Sequence, residues 1–314
     1  MQSPVIKLKT AHEIGFSAAE DRVAFFGGRA VTVLSLTTSR PVFSVHPIAN
    51  PSHIDFSPDG IRLAVKNTSG RTVILDSKTG RTLQDFRNQK EGEGSAALFS
   101  SCGRYVVAVS WNGLLSVRDS ATSKIVFSHL YRDCILAELS APQDRRFFVY
   151  SVGSRPASDS HPPPPDTVML HPWPIRDAGC RELPQRWSFI SALKVSPSGR
   201  LLGIIHGAPP ETLEVYDIER SRVIARRAVR FGGTGCSIGW SPDEKQLAIN
   251  GDHRCWVLEL PELTVQHEFP LRYPCYVGFS PSSRFLALGS WSTSFIVPLD
   301  YLPTFAEKRT SDAC

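Results

Sequence analysis

Apolar and polar positions alternate along this chain in short runs that stop at tight turns. In His53-Ile54-Asp55-Phe56-Ser57-Pro58-Asp59-Gly60 a two-residue period leads directly into Ser-Pro-Asp-Gly, which predicts a short strand ending at Ser57. Near copies end at Ser17, Ser100, Ser140, Ser196, Ser241 and Ser280, with Pro following at 197, 242 and 281. The seven serines are separated by 40, 43, 40, 56, 45 and 39 residues. After each of them the same grammar returns: a turn, a second apolar strand, a polar turn and a third strand. Repeat two shows it with Leu63-Ala64-Val65, then Thr72 to Asp76, then an outer strand around Thr82 to Phe86. Further second strands are predicted at Val106 to Val109, Phe147 to Tyr150, Leu201 to Ile205, Leu247 to Ile249 and Phe285 to Leu288, and no segment carries a helical period.

A repeat of about 40 residues built from short strands cannot bury both faces of its own sheet, so the repeats must stack, and a ring of sheets is the closed solution. The expected fold is therefore all-β, a seven-bladed β-propeller over residues 1–303, with 304–314 as a short tail. Val5-Ile6-Lys7-Leu8-Lys9 reads as a strand with no place in the first repeat, whereas the last repeat, Cys275 through Asp300, shows three strands. The N-terminal strand is expected to close the ring as the outer strand of the last blade, leaving no open edge.

Third strands close on an aspartate at Asp76, Asp119, Asp217 and Asp300, while repeats one and six carry Leu36 and Leu260. An aspartate at a strand end accepts hydrogen bonds from turn amides, a structural role rather than a catalytic one. With Ser-Pro-Asp-Gly at 57 to 60, Ser-Pro-Ser-Gly at 196 to 199 and Ser-Pro-Asp at 241 to 243, these aspartates make the chain resemble the WD-repeat family of seven-bladed propellers over nearly its whole length. It departs from the family in having no Trp-Asp dipeptide, with Leu75-Asp76, Arg118-Asp119, Tyr216-Asp217 and Leu299-Asp300 in its place, and no Gly-His dipeptide opening a repeat.

Composition changes this picture little. The 314 residues are 41% hydrophobic and carry 35 basic against 30 acidic side chains, net +5, spread along the chain rather than collected in one block, so nucleic acid is not an expected partner. No basic segment followed by an apolar run opens the sequence and no 18-residue apolar stretch exists, so the expectation is a soluble, cytoplasmic protein without membrane contact. Seven cysteines without a Cys-x-x-Cys pair read as reduced, packed thiols. The irregular fourth interval comes from an insertion at 152–165 that ends in Pro162 to Pro165. It reads as tolerated loop growth with polyproline character, with a ligand for a proline-reading domain as the other reading.

Candidate chemistry is sparse. There is no Gly-x-Ser-x-Gly elbow, no His-Glu-x-x-His and no phosphate loop, and Gly232-Gly233-Thr234-Gly235 lies between strands as a turn. Five residues before the marked serines stand His12, Ser52, Ser95, Ile135, Ser191, Cys236 and Cys275, and the next position adds one acid, Glu13, beside His53, too few oxygens for a calcium or magnesium cage. Cys236, Cys275, His253 and Cys255 lack the closely spaced pairs of a structural zinc site and read as packing residues. No cofactor or metal is expected. Asp55, Glu138 and Lys194 stand two positions before the serines, where Gly15, Gly239 and Gly278 mark tight space. Glu138 and Lys194 are expected to pair across adjacent repeats.

The resemblance implies that loops entering inner strands and loops joining second to third strands share one rim on which partners dock. On this chain that rim takes His46 to Ser52, Asn88 to Ser95, His129 to Cys134, Gln185 to Ile190, Arg230 to Gly235 and Leu271 to Cys275, with the proline loop. Candidate partner-binding residues are Tyr131, Arg132, Trp187, Arg230, Arg272 and Tyr273, of the types that anchor interfaces. Trp111 and Trp291 join them, because each follows a second strand at the same place in its repeat, where the other repeats hold small or polar residues; the other reading is that each ring covers the end of its own sheet. The expectation is a non-enzymatic platform, monomeric alone, that binds other proteins. The alternatives are a propeller enzyme of lactonase type, which would need an acid-lined channel mouth, and a neutralising partner that caps another protein.

Overall fold

The computed structural model describes residues 5–87, 94–154, 164–176, 179–230 and 235–302. Most of the proline loop, parts of the Asn88 to Ser95 and Arg230 to Gly235 rim segments, and the C-terminal tail lie outside the described residues. Seven four-stranded antiparallel sheets form a seven-bladed β-propeller. The inner strands are Glu13–Phe16, Pro51–Phe56, Gly94–Phe99, Cys134–Ser140, Ile190–Val195, Ile238–Trp240 and Pro274–Phe279.

The marked serines explain why the repeat is so regular. Each is buried, and in six blades its Oγ accepts the backbone N–H of the residue five further on, as from Arg62 to Ser57 at 2.9 Å and from Leu201 to Ser196 at 3.1 Å. A side-chain acceptor thus satisfies an amide at the point where the chain reverses, so the turn costs no buried, unpaired donor. Ser140 is the exception: its Oγ accepts the Val195 N–H of the next blade at 3.0 Å, because its own turn is two residues longer and the second strand starts at Phe147. The strand-end aspartates cap turns as expected. Asp76 accepts the N–H groups of Lys78 and Thr79, Asp119 those of Ala121 and Thr122, and Asp217 that of Arg220. Asp300 differs, lying in the 3-10 turn Leu299–Tyr301 rather than at a strand end.

Second and third strands bury both faces, so the hydrophobic cores lie between blades rather than within them. Phe147, Val149 and Leu170 of blade four pack with Leu193, Leu202 and Tyr216 of blade five in one cluster. Each such side chain contributes about 1.5–3 kcal/mol when taken from water. Ring closure follows the same rule. Ile6–Leu8 pairs antiparallel with Ser294–Pro298, setting Ile6 against Ile296 and Leu8 against Ser294, and both Ile6 and Leu8 are buried. Val152, Gly153 and Ser154, expected at the start of the insertion, continue the strand Phe147–Ser154 instead. Among the described residues no helix is long and apolar enough to cross a membrane.

Candidate partner-docking rim and central channel

The chain reverses on one face at the serine turns, so strand entries and second-to-third-strand turns gather on the other. On that rim Trp291 is 55% exposed, Trp111 45% and Tyr273 38%. The Trp291 ring is braced against His12 of blade one, with centroids 3.9 Å apart and planes at 39°, and its backbone N–H donates to the Tyr273 carbonyl at 3.0 Å. Tyr273 in turn carries the Arg272 guanidinium 5.0 Å over its ring and packs edge-on to His253 at 5.3 Å. The loop is held from below, because Ser290 and Ser292 both donate to the Arg272 carbonyl. Asp252, beside His253, donates its N–H to the Arg230 carbonyl at 3.1 Å. Trp291, Tyr273, Arg272 and Arg230 thereby form one continuous arc over blades five, six, seven and one.

The remaining candidates are not part of that arc. Trp111 and Arg132 are exposed on blades three and four. Tyr131 is half-buried: its hydroxyl lies 2.8 Å from that of Tyr150, which continues to His171 Nδ1 at 3.3 Å, while His171 Nε2 donates to the Arg176 carbonyl at 2.7 Å. Burial pushes the Tyr131 phenol up, so its hydroxyl stays protonated within this chain. Trp187 overturns its expectation, since it is 1% exposed. Its backbone exchanges both hydrogen bonds with Asp166 at the exit of the proline loop, which turns the ring inward. There Nε1–H donates to Glu214 at 2.9 Å and the ring packs edge-on against Tyr216. Burial alone would raise the Glu214 carboxyl, but the His206 ring 3.5 Å away and the hydrogen bonds from Trp187 and Arg226 outweigh it and hold the group at about 2. Two residues on, Phe189 is 68% exposed, an anchor-type ring inside the predicted Gln185 to Ile190 loop that composition did not single out.

Down the axis, charged side chains are arranged in ties between blades. His53 Nδ1 lies 3.0 Å from Glu13, and although burial disfavours the imidazolium, the Glu13 carboxylate holds His53 above its ordinary value. Asp55 accepts both guanidinium nitrogens of Arg145, at 2.7 and 2.9 Å, and the Phe99 N–H at 2.7 Å. Glu138 and Lys194 attract each other without direct contact, which corrects the expected pair. Glu138 takes the Leu193 backbone N–H instead, and burial pushes its carboxyl up to about 7 against the pull of Lys194. Burial likewise raises the Cys236 and Cys275 thiols to about 12, leaving them protonated at neutral pH. Among the described residues no three His, Cys, Asp or Glu side chains converge on one point.

No family model matches the chain, and no curated protein matches it in sequence. Among solved structures it superposes on a chain of hydrazine synthase from Kuenenia stuttgartiensis with a TM-score of 0.76 and 14% identity, over 93% of this chain and 96% of that one. The likeness establishes the propeller fold alone, since a fold of this kind hosts many unrelated activities.

Proposed function

We infer that this propeller is a non-enzymatic docking platform of the WD-repeat type, monomeric and cytoplasmic, which binds a partner protein through the rim arc over blades five to one. The observation that carries this reading is Trp291, a large ring left more than half in water yet braced against His12 and flanked by Tyr273 and Arg272. An aromatic held rigid before binding loses little rotamer freedom on docking, and Trp, Tyr and Arg together are the composition of interface hot spots. The partner surface that suits this arc is an apolar patch with acidic residues at its edge, because Arg272 lies over the Tyr273 ring and Arg230 stands on the preceding rim loop. Quantitative affinity capture should compare the intact protein with Trp291→Ala, Tyr273→Ala and a control on an outer strand, Val126→Ser. A partner lost with both rim variants and kept by the control supports the reading. Equal capture by all four proteins removes it.

A further inference from the structure

The serine-turn end of the axis holds a cavity of about 450 Å³, a size that suits a small organic molecule. Its mouth is ringed by the turn prolines Pro58, Pro142, Pro197, Pro242 and Pro281, and deeper in it is walled by Phe16, Trp240, Tyr276 and Phe279. The blades contribute unequally to its lining. Two positions before the marked serines, blades two, four and five carry Asp55, Glu138 and Lys194, whereas blades one, six and seven carry Gly15, Gly239 and Gly278. The glycines sit where space is tight, since a Cβ on Gly239 would stand 2.8 Å from the Gly278 Cα and one on Gly278 2.8 Å from the Tyr276 hydroxyl, so charge enters the cavity from Asp55 and Lys194 and not from that side.

The charges that reach this space do not cancel. Asp55 and Arg145 line it but neutralise each other through two hydrogen bonds. Lys194 also lines it, is exposed to it, and among the described residues its ammonium makes no hydrogen bond or ion pair. Glu138 of the adjacent blade attracts Lys194 but forms no ion pair with it, and its carboxyl is pushed up to about 7, so it offsets Lys194 only in part at neutral pH. Lys194 is aimed from a fixed strand, since Trp240 Nε1–H donates to its carbonyl at 2.9 Å and holds both the wall and the backbone beneath the cation. One cation without a direct partner, set among mostly apolar walls, attracts a single negative charge. A polyphosphate would need more cations than one lysine and an arginine already committed to Asp55.

The geometry points to a binding site for a small organic carboxylate, with the carboxylate on Lys194 and an aromatic or branched apolar body against Trp240, Phe279 and the prolines. This site is at the opposite end of the axis from the docking rim and stands independently of it.

Calorimetric titration with 2-naphthoate, its uncharged analogue 2-naphthamide, and the variants Lys194→Met and Lys194→Arg tests the assignment. The expected result is saturable one-to-one binding of 2-naphthoate. It should weaken by about tenfold or more in the amide or in Lys194→Met, the loss of one charge-assisted contact, and survive in Lys194→Arg. Equal binding of naphthoate and naphthamide by the unaltered protein would overturn it, a comparison that needs no variant to fold. So would unchanged affinity in a Lys194→Met protein of normal melting temperature, absence of saturable binding, or tighter binding of an unstructured peptide through its C-terminal carboxylate than of naphthoate.

Discussion

Asp55 and Arg145, 90 residues apart in sequence, meet on the propeller axis, where Nη1 donates to Oδ2 at 2.7 Å and Nη2 to Oδ1 at 2.9 Å. Arg145 also donates to the Phe99 carbonyl at 2.5 Å, so one side chain from the lengthened turn of blade four ties together blades two, three and four. Its backbone stands at φ 51, a left-handed conformation that aims the guanidinium inward.

Removing one partner of this pair should therefore cost more than removing both. Arg145→Ala leaves Asp55 partly buried with only the Phe99 N–H, and a loss of about 3 kcal/mol in unfolding free energy is expected by urea titration. Arg145→Met combined with Asp55→Asn should lose less than Arg145→Met alone, and so far less than the sum of the single changes. Additive losses would show that the pair carries no coupling across the axis.

Ring closure depends on three residues. Deleting residues 1 to 9 removes the Ile6–Leu8 strand and opens the edge of Ser294–Pro298, so the melting temperature should fall and concentration-dependent aggregation should appear in light scattering. Leu8→Asp, which puts a charge at a buried position, should reproduce the loss without shortening the chain. Unchanged melting in both variants would contradict closure by this strand.

Stability should fall as pH rises from about 5 to about 8. Glu138 titrates at about 7 in the folded state against an ordinary 4.5, so the native protein binds the extra proton and the contribution, full below 4.5, is lost as pH climbs through 7. His53 acts in the same direction: it is raised above 6.5, and its contribution, complete below that value, disappears as pH passes the folded one. Glu138→Gln keeps an acceptor for the Leu193 N–H without the charge. It should flatten the slope and exceed the unaltered protein at pH 8 by on the order of 2 kcal/mol. Urea midpoints at pH 5.5 and 8 measure this, and a slope unchanged by the substitution would remove Glu138 as its source.

What the sequence disclosed follows the range of the interactions involved. Strands, turns, the seven-fold count and closure by Ile6–Leu8 all rest on alternation and on hydrogen bonds spanning a few residues, such as Ser57 with Arg62. The fates of individual side chains near the axis and the rim depend on neighbouring blades. Glu138 and Lys194 occupy equivalent places, yet the group that donates to Glu138 is the Leu193 amide of the next blade and not the Lys194 side chain. Arg145 did leave a sign, since second strands begin five residues after the marked serine at Arg62, Tyr105 and Leu201 but seven after it at Phe147. That extra length carries Arg145 to the axis. Nothing comparable distinguished Trp187 from Trp291, because both follow polar residues in loops, and only the backbone pairing of Trp187 with Asp166 sends one ring inward.

Those two tryptophans should respond to substitution in opposite ways. Trp187→Phe removes the Nε1–H donor of the Glu214 cluster while leaving an aromatic body against Tyr216, so about 1–3 kcal/mol of stability should be lost. The loss should shrink toward low pH, because the bond stabilises the ionised carboxylate: part of the stability that Glu214 contributes above its ordinary 4.5 comes from Trp187, and that part disappears in both proteins as the carboxyl is protonated through its folded value of about 2. Rim binding should be untouched. Trp291→Ala removes a ring already more than half in water, so the melting temperature should move little, whereas affinity for a captured partner should fall by about 2 kcal/mol, near thirtyfold. Trp111→Ala, equally exposed but three blades away from Trp291, separates a local anchor from a general effect of surface tryptophans. If Trp291→Ala lowers the melting temperature as Trp187→Phe does and binding persists, the ring serves the seam between blades seven and one through His12, and the docking arc must be sought elsewhere on the rim.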